Sequence, residues 1–256
     1  MKKLYIVLAI LSTSVFLTSC LTGNDSKSKN ATVMVDISKS IKPEVLDWYI
    51  QTIETDICAN LTQFDKIKVI LIDGASETAS KVLLDLDLFD HKSEWDVMGL
   101  NANETDKLKK AAFTKFIHSK MLDLKAAITD AKIHRQDVGN ATDILGAIEV
   151  ATNNYDGGFD NSIVIMSDME QYADKCKMCS KGKATEWLSL TGGIKFKNIN
   201  KFSVTIITGE QISMDKAYYN EIKSYWTELF KKQGVKNFSY LGADASHVRQ
   251  SFLANN

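Results

Sequence analysis

Residues 33–41, VMVDISKSI, decide how this chain is read. From Ala31 to Ile37 the residues are mostly apolar or β-branched, as a strand covered on both faces requires. Such a run then ends in three oxygen-bearing side chains at alternating positions, Asp36, Ser38 and Ser40. Two readings fit this pattern. Asp36 and Ser38 terminate a strand while Ser40 caps the next helix, or the three side chains form part of a ligand site.

Working outward, Pro43 suits a first helical turn, and Leu46, Ile50, Ile53, Ile57 and Leu61 recur at helical spacing, predicting a helix over 43–61. Lys66–Ile72 reads as a second strand. Asp73-Gly74-Ala75-Ser76 then turns the chain into a third strand, Lys81–Phe89. That turn is too short for a helical crossover, so these two strands are expected to be antiparallel neighbours. Residues 90–103 read as an irregular insertion, and Glu104–His134 as one long or two broken helices. Further helices are expected over 142–153, 214–233 and 244–253, and strands over 162–167, 202–208 and 237–241. Strands alternating with helices predict an α/β, doubly wound fold. Its central sheet is mostly parallel with one antiparallel edge strand, and helices cover both faces.

In such sheets ligands bind beyond the carboxyl ends of the strands, where successive crossovers leave for opposite faces. Two more oxygen donors fall at equivalent places: Thr142 before a predicted helix in VGNATDILGAI, and Asp168 at the end of NSIVIMSD. With Asp36-x-Ser38-x-Ser40, they resemble the metal-ion-dependent adhesion site of the von Willebrand factor type A domain. That family shows Asp-x-Ser-x-Ser after the first strand, Thr in a later loop and Asp after the fourth strand. The resemblance extends over residues 31–256 and includes the order of elements. Two positions depart from the usual pattern: Asn140-Ala141 precede Thr142 where the family commonly has Gly-Gly, and Met169 follows Asp168 where it commonly has Gly.

The resemblance implies a divalent cation, Mg2+ or alternatively Mn2+ or Ca2+, on Asp36, Ser38, Ser40, Thr142 and Asp168. It also implies a protein partner that offers an Asp or Glu carboxylate to that ion, without catalysis. The residue types suit the task. Magnesium takes oxygen ligands, retains waters and uses one or two carboxylates. Asp36 and Asp168 balance its charge, and the hydroxyls add donors without adding charge.

The amino terminus, MKKLYIVLAILSTSVFLTSC, has two lysines, an apolar stretch too short for a comfortable membrane span, then small residues leading to Cys20. Leu17-Thr18-Ser19-Cys20 resembles the bacterial lipobox. The resemblance implies a signal peptide over 1–19 and acylation of Cys20, holding the protein to a membrane of the bacterial cell envelope. Leu21 after the cysteine favours the outer membrane if the envelope is Gram-negative. Residues 20–30 are the lipidated cysteine and a small, polar tether, and 31–256 form the domain. Loss of residues 1–19 removes two lysines and no acid, taking the formal charge from −1 to −3. No basic excess points to nucleic acid.

Cys176-Lys177-Met178-Cys179 lacks the second pair or histidine that a zinc site needs. In an exported protein a local disulfide is the plainer reading, with a redox-active pair, metal binding or free thiols as alternatives. Cys58 reads as a small core residue. The four histidines show no ligand spacing, and neither a Gly-x-Ser-x-Gly elbow nor a phosphate-binding glycine loop occurs. The lysine-rich 107–132 segment reads as a helix packed on the sheet with a solvated basic edge. The competing functions are an exported thiol-disulfide oxidoreductase using Cys176 and Cys179, and an envelope scaffold whose metal site has decayed.

Overall fold

The computed structural model describes residues 27–74, 82–94, 102–134, 141–173, 176–179, 181–209 and 214–242. The leader, Cys20, residues 21–26 of the tether, residues 95–101 of the 90–103 insertion, Asn140 and the closing helix at 244–253 lie outside the described residues.

Six strands form one sheet in the order β3-β2-β1-β4-β7-β8. These are β1 (Lys29–Asp36), β2 (Lys66–Ile72), β3 (Val82–Asp87), β4 (Asp160–Met166), β7 (Phe202–Ile207) and β8 (Phe238–Leu241). All neighbours run parallel except β3, which pairs antiparallel with β2 at the edge. The expected doubly wound α/β sheet is therefore the observed one. The strands begin and end within a few residues of the expected limits.

Both faces of the sheet are covered, which explains the unbroken apolar runs. Val33 and Val35 of β1 enter one core with Tyr49, Ile53, Phe116, Leu124 and Ile128, whereas Met34 enters the other with Ile148, Trp187, Tyr225 and Trp226. The first core is roofed by α1 (Pro43–Thr52) and α2 (Ala102–His134), the second by α3 (Ile144–Thr152), α4 (Ala184–Thr191) and α5 (Lys216–Lys232).

Two elements differ from expectation for physical reasons, and the long helix agrees with it. The first helix gives way after Thr52 to a π-helical stretch, Ile53–Ile57, and a 3-10 turn, Cys58–Asn60. The wider turn still lets Ile53, Ile57, Cys58 and Leu61 all be buried. As expected, the segment 107–132 belongs to one continuous helix that buries Ile117, Met121, Leu124 and Ile128 against the sheet. No helix among the described residues is long and apolar enough to cross a membrane. Finally, residues 169–200, expected as a loop, contain a small hairpin of β5 (Tyr172–Ala173) and β6 (Cys176–Lys177) followed by α4. Trp187 anchors α4 by standing edge-on to Tyr218 and Tyr225, and the bare backbone of Gly182 makes room for its indole. Ala184, Trp187 and Thr191 are the buried face of a single amphipathic turn pair. That period was too short to stand out in the sequence.

Candidate functional site

β1 pairs with β2 on one side and β4 on the other, Val35 lying opposite Met166. That register sets the residues after the two strands side by side. Asp36 is fully buried and Asp168 nearly so. One oxygen of Asp36, Oδ1, accepts from the Ser38 amide at 2.8 Å, and the other, Oδ2, accepts from the Ser167 hydroxyl at 2.6 Å. The Ser38 and Ser40 hydroxyls lie 3.0 Å apart. Ser40 also hydrogen-bonds the Asp168 carboxylate, which accepts from the Glu170 amide at 3.0 Å. A tight turn, with the Ile41 amide donating to the Ser38 carbonyl, places the two serines on the same side.

The capping reading for Ser40 does not hold. The N-cap of α1 is Lys42, which makes no side-chain cap bond, and Pro43 follows it as the first helical residue. A proline there removes one of the amides a cap would satisfy, so the Ser40 hydroxyl is directed to Ser38 and Asp168 instead.

Thr142 is buried and reaches this end of the sheet through its backbone. It exchanges two hydrogen bonds with Tyr172, while the Asp143 amide donates to the Asp73 carbonyl just beyond β2. Helix α3 consequently starts two residues later than expected, at Ile144, with Asp143 as N-cap accepting from the Gly146 amide. Gln171 ties these parts together. Its side-chain oxygen accepts from the Ile144 and Leu145 amides, and its amide nitrogen donates to Asp143. The Thr142 loop is thereby fastened to the segment carrying Asp168.

Electrostatics follow from burial. Removal from water, and then the charge of Asp168, push the Asp36 carboxyl up to about 7, against the opposing effect of the Ser167 and Ser38 hydrogen bonds. Burial also raises Asp168, opposed by its bonds from Ser40 and the Glu170 amide. Lys132 of α2 donates its ammonium to the Ile41 carbonyl; burial lowers its pKa and the Asp36 charge opposes that fall. Tyr49 donates to the Thr208 carbonyl, and burial followed by the two aspartates keeps its phenol neutral. Glu170, half-buried, accepts from the Tyr218 hydroxyl at 2.7 Å; its own pKa is raised by burial.

Met169 occupies the left-handed region at φ 65°, the conformation that glycine adopts without cost. Three contacts hold it there: its amide donates to Ser167, its carbonyl accepts from the Trp226 indole, and its side chain is buried in the second core.

Ser167, Asp143 and Gln171 are the site residues that sequence reading missed. Ser167 stands beside Asp168 at a strand end, a usable signal. Gln171 carries none, since its role depends on where α3 begins. No cluster of three or more His, Cys, Asp or Glu side chains arranged for a metal occurs among the described residues. The Asp36 site combines two carboxylates with hydroxyls, an all-oxygen donor set of the kind hard divalent cations take.

The cysteines give a different picture from the expected bridge. Cys58, Cys176 and Cys179 are free thiols. Cys176 points into the second core, whereas Cys179, just past β6, is exposed, so the two side chains meet different environments. Burial pushes the Cys176 thiol up to about 11 and Cys58, with a smaller contribution from Glu54, up to about 12.

No protein-family model matches the chain, and no curated protein matches it in sequence. Among solved structures it is similar to BatB, a conserved hypothetical protein from Bacteroides thetaiotaomicron. That pair shares 13% identity over 89% of this chain and 98% of the other, with a TM-score of 0.47. It is also similar to proximal thread matrix protein 1 from the mussel byssus, at 13% identity and a TM-score of 0.43, over 90% of this chain and 47% of that one. The chain thus spans about half the length of the mussel protein. Both likenesses are coarse, of chain path alone.

Proposed function

We propose that this protein is a lipid-anchored component of the bacterial cell envelope whose von Willebrand factor A-type domain binds a protein partner through a divalent cation, without catalysis. The observation that carries the proposal is the burial of Asp36 and Asp168 together at adjacent strand ends, bridged by the Ser38 and Ser40 hydroxyls. Two carboxylates withdrawn from water repel each other unless a proton or a cation joins them. Asp36, Ser38, Ser40, Thr142 and Asp168 would hold the ion. When bound, it would supply an electrophilic contact for a carboxylate of the partner. Selectivity would come from the segments around it: Thr142, the Gln171–Tyr172 segment and the Glu170–Tyr218 pair.

The absence of catalysis is supported by the serines' hydrogen bonds, which run to each other and to a carboxylate rather than to an imidazole base. A Cys176 thiol held near 11 by burial speaks against thiolate chemistry at the Cys-x-x-Cys pair. A cation-free scaffold is the second reading, favoured by Lys132, whose ammonium already sits within electrostatic range of Asp36.

Magnesium, then manganese and calcium, titrated into chelator-stripped protein beginning at Lys27 separates these readings. That boundary keeps β1 whole, including Asn30, whose side chain bonds Asn154 and Asn161. Saturable thermal stabilisation that disappears in Asp36→Ala supports the ion site. A flat response to every cation in folded protein supports the scaffold. The mass of the mature amino terminus tests acylation at Cys20 independently.

A further inference from the structure

The edge of the sheet opposite the ion site has a chemistry of its own. There, at the amino ends of β1, β4, β7 and β8, lies a cavity of about 630 Å³ whose lining includes Lys27, Lys201 and Lys236, with Asn161, Phe159 and one acid, Asp160. All three lysines are solvent-exposed. Along the same edge, Phe64 before β2 and Phe89 after the antiparallel β3 are 50% and 56% exposed, and their rings stack with centroids 6.2 Å apart. Lys66 connects the two features: it lies 4.5 Å from the Phe159 ring centroid and pairs with Asp87 and Asp156, offsetting one of those two carboxylate charges. The edge therefore carries a basic cavity at one end and a protruding aromatic pair at the other.

We propose that this edge is the face that docks on the membrane, its lysines taking anionic phospholipid headgroups and Phe64 and Phe89 entering the interface. The proposal rests on the anchor at Cys20. Six residues separate Cys20 from Lys27, and the seven steps of chain reach at most about 25 Å, so an acylated Cys20 would keep this edge near the bilayer. A basic, aromatic surface so tethered has the complementarity that an anionic bilayer rewards. The eight residues of β1 then set the Asp36 site off by roughly 23 Å on the far side, facing away from the lipid toward a partner.

The test uses protein purified from membranes of expressing cells and reconstituted into vesicles of phosphatidylcholine alone or with phosphatidylglycerol. Lysine acylation is read residue by residue by mass spectrometry. Lys201 and Lys236 are expected to label on the order of fivefold more slowly on the anionic vesicles. Lys39, beside the ion site, should label equally on both. Phe64→Ser/Phe89→Ser should lessen the protection. Equal labelling on both vesicles, with acyl chains found on Cys20, overturns the docking face and leaves the anchor standing. An amino terminus without acyl chains removes the anchor, and the proposal with it. Protection reproduced on neutral vesicles by millimolar inorganic phosphate would make the cavity a phosphate site and overturn the membrane assignment.

Discussion

Replacing Asp36 by Asn should make the cation-free protein more stable at neutral pH, although it alters a fully buried polar residue of the site. In the folded chain the Asp36 carboxyl is raised from 3.8 to about 7, so between those values the native state holds a proton that the unfolded state has lost. Stability is then highest below about pH 4 with respect to this group, and falls as pH rises through 7. The full rise corresponds to about 4 kcal/mol carried as a buried charge at pH 7.5. Asn removes that charge and its oxygen can keep the Ser38 amide bond. The Ser167 hydroxyl, already accepting from the Met169 amide, loses its acceptor, at a cost of about 1 kcal/mol. The net gain is roughly 3 kcal/mol, or about 6–12 °C in Tm for a domain of this size. The assay is thermal and urea unfolding in chelator from pH 4 to 8, repeated with magnesium. Wild type should lose stability across that window and regain it with the ion; Asp36→Asn should be flat in pH at this group and indifferent to magnesium. A variant less stable than wild type at pH 7.5, together with a wild-type profile that does not fall between pH 4 and 7, would refute the reasoning.

Other changes probe the surroundings of the site. Met169→Gly relieves the left-handed backbone, worth about 1 kcal/mol, but removes a side chain buried in the second core. A net loss of about 1–3 kcal/mol is expected in urea melts, and a net gain would mean the methionine contributes little packing. Trp187→Ala should cost about 3–5 kcal/mol, because it strips the anchor of α4 from Tyr218 and Tyr225. Near-UV circular dichroism at the melt reports whether the rest of the fold persists. Brief alkylation of native protein should modify Cys179 and spare Cys176 and Cys58; equal reaction at Cys176 would show that the β5–β6 hairpin opens freely.

Much of the fold and the set of candidate ligands could be read from the sequence, for one reason: both depend on local pattern. Runs such as VMV, KVILI and SIVIM announce strands apolar on both sides, so a sheet with two covered faces followed directly. The short Asp73 turn implied the antiparallel edge. Oxygen side chains standing at the ends of such runs marked Asp36, Ser38, Ser40 and Asp168 without coordinates. Tertiary structure alone decided what those residues do to one another. Asp36 and Ser167 are 131 positions apart and touch because β1 pairs with β4 in one register. The rise of the Asp36 carboxyl depends on both cores closing around it. Of the two readings of Ser40, capping was excluded because the helix starts at Pro43 with Lys42 as its N-cap. Gln171 gained its place from the late start of α3, and Cys176 and Cys179 took separate environments because Cys176 in β6 faces the core while Cys179, two residues past β6, faces water. Each of these outcomes is set by contacts between distant segments, which depend on strand order and register rather than on any residue's neighbours in the chain.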